Sequence, residues 1–99
     1  MNYRFHRAAL AEHLDEVAFY ESRLAGLGAD YLADFETVMS CICTSPDVYP
    51  WIAESGLRKA GLKRFPFHVI YRVDPTQILI VAIAHQRRRP AYWFGRVKT

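Results

Sequence analysis

The sequence contains no run of about 18 apolar residues, so no part of it is suited to cross a bilayer as a helix. Its opening stretch, MNYRFHRAALAEH, scatters charges where a secretory leader needs a continuous apolar run, and a cytoplasmic location with no membrane contact is expected. Cysteine is scarce. Cys41 and Cys43 stand two apart in a stretch that reads as helix, where such neighbours point in different directions, so no disulfide is expected between them. Without a second cysteine pair there is no ligand set for structural zinc, and both thiols are expected to be small apolar residues, buried or half-buried. Also missing are a glycine-rich phosphate loop, paired carboxylates, a Ser-His-Asp set and a metal-ligand cluster, which removes the common enzyme classes and leaves no cofactor or metal to expect. No repeat, low-complexity segment or linker divides the chain. Residues 1–99 read as one domain.

What is present is the composition of an ordinary globular domain, 52% hydrophobic and 23% charged. The charge is unevenly placed. Residues 1–55 hold three arginines against nine acids, a net of −6. Residues 56–99 hold ten lysines or arginines against a single acid, Asp74, a net of +9. Acidic helices facing basic strands would neutralise part of this, but ten cations cannot all find acids across a packed core. A polyanion or an acidic protein surface is the expected partner.

Hydrophobic periodicity orders the chain. Tyr3 and Phe5 alternate with polar residues, as in a short strand. From about Ala8 to Ala25 the stripe Leu10, Leu14, Val17 and Leu24, with Ala11 and Ala18 alongside, has helical spacing. The glycines of Gly26-Leu27-Gly28 end it, and a second stripe follows at Tyr31, Phe35, Val38 and Ile42, stopping before Ser45-Pro46. Beyond a proline-containing loop come three strand patterns, at Leu57–Arg64, Phe67–Val73 and Gln77–His85. Asp74-Pro75-Thr76 marks a tight turn between the last two. The expected fold is α+β, with order β-α-α-β-β-β, the helix hairpin packed on one face of a small, mainly antiparallel sheet, and a short C-terminal segment. In the last strand Ile78, Ile80 and Ala82 should face one way, and Leu79, Val81 and Ile83 the other. Both faces are apolar, yet the helices can cover only one. The other needs the chain's own C-terminal segment, a second copy or a partner.

The candidate chemistry gathers on the sheet. Arg58, Lys59, Lys63 and Arg64 fall on the second strand, Arg72 on the third, and His85 ends the fourth. Of the thirteen residues in AHQRRRPAYWFGR (84–96), five are Arg or His, and Tyr92 and Trp93 stand among them. Guanidinium groups bind phosphate bidentately and aromatic rings stack on unpaired bases, so Arg58, Lys59, Arg64, Arg87, Arg88, Arg89, Trp93 and Arg96 are candidates for holding nucleic acid or an acidic partner. Cleavage of RNA by the adjacent 2′-hydroxyl needs a base, an acid and positive charge around the phosphorane. His85 and Tyr92 could serve as base and acid, with Lys63 and Arg72 stabilising charge.

The stretches RFPFHVIYRVD (64–74) and ILIVAIAHQRRRPAYWFGR (78–96), the latter with the ending AxxHxxRxPxYW, resemble the C-terminal half of the RelE/ParE superfamily of toxins. The N-terminal helix start at Ala8-Ala9, the aromatic at Tyr20 and Phe35 in the second helix extend the resemblance over nearly the whole chain. It implies a toxin of a type II toxin–antitoxin pair, held inactive by a cognate antitoxin whose C-terminal segment wraps it, with any oligomer formed through that complex. RelE-like members cut messenger RNA at the ribosomal decoding site; on that branch Arg58, Lys63, Arg72, His85, Arg89 and Tyr92 lie near the positions used. ParE-like members inhibit DNA gyrase and need no catalytic residues. The lack of a Tyr or His beyond Arg96 favours the ParE-like branch. A third reading is a member that binds its antitoxin without being toxic.

Overall fold

Four strands form one sheet in the order β1-β4-β3-β2, in a computed structural model that describes residues 1–88 and 92–97. The elements are β1 (Asn2–Phe5), α1 (Arg7–Arg23), α2 (Leu27–Thr44), β2 (Arg58–Gly61), β3 (Phe67–Val73) and β4 (Gln77–His85), followed by a 3-10 turn at Phe94–Arg96. This is the expected order. β2, β3 and β4 are antiparallel neighbours, while β1 lies parallel to β4, with Tyr3 opposite Ile78 and Phe5 opposite Ile80. Asp74-Pro75-Thr76 makes the β3–β4 turn, closed by the Asp74 N–H donating to the Gln77 carbonyl at 2.9 Å.

The helix hairpin depends on two glycines for different reasons. Gly26 has φ +89°, a left-handed conformation that costs glycine little and begins α2. At Gly28 a Cβ would lie 2.8 Å from the Val17 carbonyl oxygen, so only glycine lets the helices approach this closely. The Glu21 carboxylate accepts from the N–H groups of both, at 3.0–3.1 Å. Tyr31, Phe35, Val38 and Ile42 of α2 are all buried, as their spacing requires.

α1 turns a different face inward from the one its leucines indicate. Leu10, Leu14 and Leu24 are exposed, Leu14 to 56%, and the buried residues are Ala9 and His13, with Val17 and Tyr20 packed beside them. The cause is His13. Its Nδ1 lies 3.1 Å from the Tyr31 hydroxyl and its ring 4.3 Å from that of Phe35, so a histidine with a partner occupies a core position.

The last strand also departs from simple alternation. Ile70 pairs with Ala82 and Tyr71 with Ile80, leaving Val81 as an extra residue, a β-bulge. Beyond it the faces exchange. Ile78, Ile80 and Ile83 join the core under the helices, whereas Leu79, Val81, Ala82 and Ala84 join the core on the opposite face. Ala82 and Ile83 are thus reversed from the expected pattern. Of the three possible covers for the opposite face, the chain supplies its own: Trp93 is buried there with Leu57, and Ile52, Tyr92 and Val97 pack around them.

Two further expectations are corrected. Cys43 is half-buried, but Cys41 is exposed; both thiols are free. β2 ends at Gly61, so Lys63 and Arg64 lie in the connection to β3. Buried Asp34 shapes that connection. Its carboxylate accepts from the backbone N–H of Lys63 at 3.1 Å, Arg64 at 2.8 Å and Phe65 at 3.1 Å. The local backbone finds its hydrogen bonds on a helix side chain.

Candidate functional site

Of the four residues proposed for RNA cleavage, Arg72 and His85 lie far apart. Arg72 lies at the turn end of the β3–β4 hairpin, opposite Leu79, while His85 lies at the other end, opposite Phe67. Five residues of strand separate the two positions, roughly 17 Å. Arg72 is bound to Asp74, with Nε 2.6 Å from one carboxylate oxygen and a terminal nitrogen 3.1 Å from the other. That hydrogen bonding raises the Arg72 pKa and lowers that of Asp74, so the pair stays charged and mutually satisfied. Lys63 sits in the loop held by Asp34.

Tyr92 is committed elsewhere. Its hydroxyl donates to a Glu12 oxygen at 2.9 Å, and its pKa is pushed up to about 12, by burial first and then by the adjacent carboxylate. Arg96 grips the same carboxylate bidentately at 2.8 and 2.9 Å and donates to the Val81 carbonyl at 3.0 Å. The Ile83 N–H adds a fourth bond to Glu12 at 3.0 Å. Burial alone would raise the Glu12 pKa; the bonds from Arg96, Ile83 and Tyr92 outweigh it and hold the carboxyl below its usual value. Glu12 of α1 therefore fastens the C-terminal segment across the sheet. A tyrosine so placed is a poor proton donor at neutral pH, and Arg96 has its charge spent inside the fold.

The remaining cations divide into sequestered and free. The Arg58 side chain is only 12% exposed; it donates to the Tyr49 carbonyl at 2.6 Å and the Asp47 carbonyl at 3.1 Å, and its guanidinium stacks 3.6 Å from the Trp51 ring centre. Arg64 is exposed, 3.9 Å from Asp30. Lys59 and Arg87 are exposed, and Arg88 lies 3.8 Å over the Tyr92 ring. Arg89 falls outside the described residues. His85 accepts at Nδ1 from the Arg87 N–H at 3.0 Å, which leaves Nε2 to carry the proton of the neutral ring, and its edge meets Phe67 at 5.2 Å. What the fold does bring together, around a cavity of about 110 Å³, is Lys59, His85, Arg88 and Trp93, joined by His68.

Three residues that organise this region carried little signal in the sequence. Glu12 pairs with a residue 84 positions away, beyond the reach of spacing arguments. His68 was hidden in a strand pattern. Asp34 alone had a mark, a carboxylate three residues after Tyr31 on an otherwise apolar helix face. Among the described residues no cluster of three or more His, Cys, Asp or Glu could hold a metal, and no helix is long and apolar enough to cross a membrane.

A helix hairpin and a three-stranded antiparallel unit, joined by the N-terminal strand as a parallel edge, with a basic C-terminal segment folded over the second face, is the build of a RelE/ParE-type toxin. Residues 3–90 match the family described as the ParE toxin of the type II toxin–antitoxin system parDE, and the chain belongs to that family. It is similar in structure to a chain of the chromosomal ParDE toxin–antitoxin system from P. aeruginosa, with a TM-score of 0.72 and 20% identity over 86% of this chain and 95% of that one. At that identity the likeness is one of fold. No curated protein sequence matches the chain.

Proposed function

We propose that this toxin arrests growth by binding DNA gyrase, as an inhibitor that works through its surface, and that a cognate antitoxin with an acidic segment neutralises it. The observation that carries the reading is the internal pairing of the would-be catalytic groups: Arg72 is bound to Asp74, and Tyr92 to Glu12, roughly 17 Å of strand separating Arg72 from His85. General acid–base cleavage requires such groups within hydrogen-bond reach of one phosphate. The excess of cations in residues 56–99 supports an acidic partner segment.

Induction of the protein alone, with DNA and protein synthesis followed separately over the first minutes, tests this. DNA synthesis stops first on this reading, purified protein inhibits gyrase supercoiling, and Arg72→Ala and His85→Ala remain toxic. Early collapse of translation with cleaved messenger, abolished by His85→Ala, would move the assignment to a ribosome-dependent endoribonuclease. That second reading is favoured by one observation, the convergence of Lys59, His85 and Arg88 on a single cavity. Absence of any growth effect, with antitoxin binding intact, would mark a non-toxic binding member.

A further inference from the structure

The small cavity on the face covered by the C-terminal segment is built from four parts of the chain. Lys59 comes from β2, His68 from β3, His85 from the end of β4, and Arg88 and Trp93 from the segment beyond it. Its volume is about 110 Å³. That is on the order of a few water molecules, room for one small polyatomic group and too little for a nucleobase.

Three observations define what belongs there. Two permanent cations, Lys59 and Arg88, stand in its wall, and among the described residues no acid does. The nearest carboxylate to Arg88 is that of Glu12, at 4.0 Å, and both its oxygens are already held by Arg96. Second, Trp93 is 6% exposed and its indole N–H is buried with no acceptor among the described residues. A buried donor without a partner is rare, and this one belongs to a residue of a cationic cavity, where an acceptor brought from outside would pair it. Third, the His68 pKa is lowered by burial and by the Lys59 charge, so the site disfavours a further proton, a penalty that an anion would relieve.

We propose that this cavity is a binding site for a phosphate-class oxyanion, free or as the terminal phosphoryl group of a small phosphomonoester, held by Lys59, His68, Arg88 and the Trp93 indole N–H. Donor number and charge choose phosphate over carboxylate. Two fixed cations, one imidazole and one indole N–H match a dianion with four oxygens, whereas a carboxylate offers one negative charge and would leave donors unmatched. The site requires no cleavage chemistry and stands apart from the gyrase reading, which survives if the site proves empty.

The two tryptophans make the test clean, since Trp93 is buried in the wall and Trp51 is exposed on another part of the surface. In ¹H–¹⁵N spectra of the full chain, titration with inorganic phosphate shifts the Trp93 indole N–H to saturation in the millimolar range and leaves that of Trp51 in place. Sodium chloride at matched ionic strength does not reproduce the shift. Lys59→Ala, a change at an exposed side chain, weakens binding at least tenfold with an unchanged melting temperature, while Arg23→Ala at the end of α1 leaves it unaltered. Adenosine 5′-monophosphate distinguishes the source. Binding weaker than that of inorganic phosphate marks a free-anion site, and tighter binding marks the phosphoryl end of a nucleotide. A Trp93 signal that stays still in 50 mM phosphate, that moves equally in chloride, or that responds the same way in Lys59→Ala overturns the proposal.

Discussion

Replacing Glu12 with alanine leaves three groups without their partner at once: the Arg96 guanidinium, the Tyr92 hydroxyl and the Ile83 N–H. The pair is largely sequestered, with side-chain exposures of 16% for Glu12 and 18% for Arg96. Loss of one member of a buried ion pair costs about 3 kcal/mol, because the surviving charge stays in a site that can no longer solvate it. For a domain of this size that is a fall in melting temperature of roughly 15 °C. An exposed ion pair would cost about 0.5 kcal/mol and shift melting by only a few degrees. Thermal unfolding followed by circular dichroism, with tryptophan emission reporting release of Trp93, separates the two cases. Acid adds a second arm. The folded Glu12 carboxyl has a lowered pKa, so the unfolded chain takes up its proton first and stability rises with pH in the acid range. The contribution is complete above the ordinary glutamate value of about 4.3 and disappears as the pH falls through the lower folded value. The difference between wild type and Glu12→Gln should therefore be constant from pH 6 to 8 and narrow below about pH 4. A loss under about 1 kcal/mol for Glu12→Ala, or a gap insensitive to acid, would show that the C-terminal segment is not fastened by this carboxylate.

Other perturbations follow from equally local geometry. Asp34→Ala strips the acceptor from three backbone N–H groups and should lower stability by about 3 kcal/mol, read as a reduced urea midpoint with an unchanged slope. Gly28→Ala forces the helices apart at Val17 and should cost about 2 kcal/mol by the same assay, whereas Gly26→Ala strains only one residue and costs about 1 kcal/mol. His13 has its pKa lowered by burial, partly offset by Glu36, so the unfolded state binds its proton more readily; stability should fall as pH drops below about 6.5, and the His13 ring should remain neutral in NMR titration past the ordinary midpoint.

How far the fold could be read from the sequence depended on whether its determinants were local. The α2 stripe, the two glycines and the Asp74-Pro75-Thr76 turn act through near neighbours, so periodicity and turn chemistry find them. The α1 face could not be found that way, because His13 counts as polar in any hydropathy pattern and becomes a core residue only once Tyr31 and Phe35 stand beside it. The β4 bulge at Val81 carries no glycine or proline to announce it, yet it reverses the facing of Ala82 and Ile83. Site residues follow the same rule. Lys59, His85, Arg88 and Trp93 were legible as a basic, aromatic group and do converge. The internal roles of Arg58 and Tyr92 were not, since the Tyr49 carbonyl and the Glu12 carboxylate are made partners only by the fold.

The fastening of Glu12 to Arg96, 84 residues apart, together with the pairing of β1 with β4, ties distant parts of the sequence to each other. No fragment that stops before β4 contains both sides of either closure. A ribosome making this protein therefore carries a chain whose sheet lacks its central partner strand until β4 emerges, and whose second face stays open until Trp93 and Arg96 follow. Folding limited by such distant contacts is slow to begin and completes only when the segment carrying Arg96 is available. The toxin acquires its finished surface only once Arg96 is in place, so a chain cut before that residue lacks the clasp that closes it.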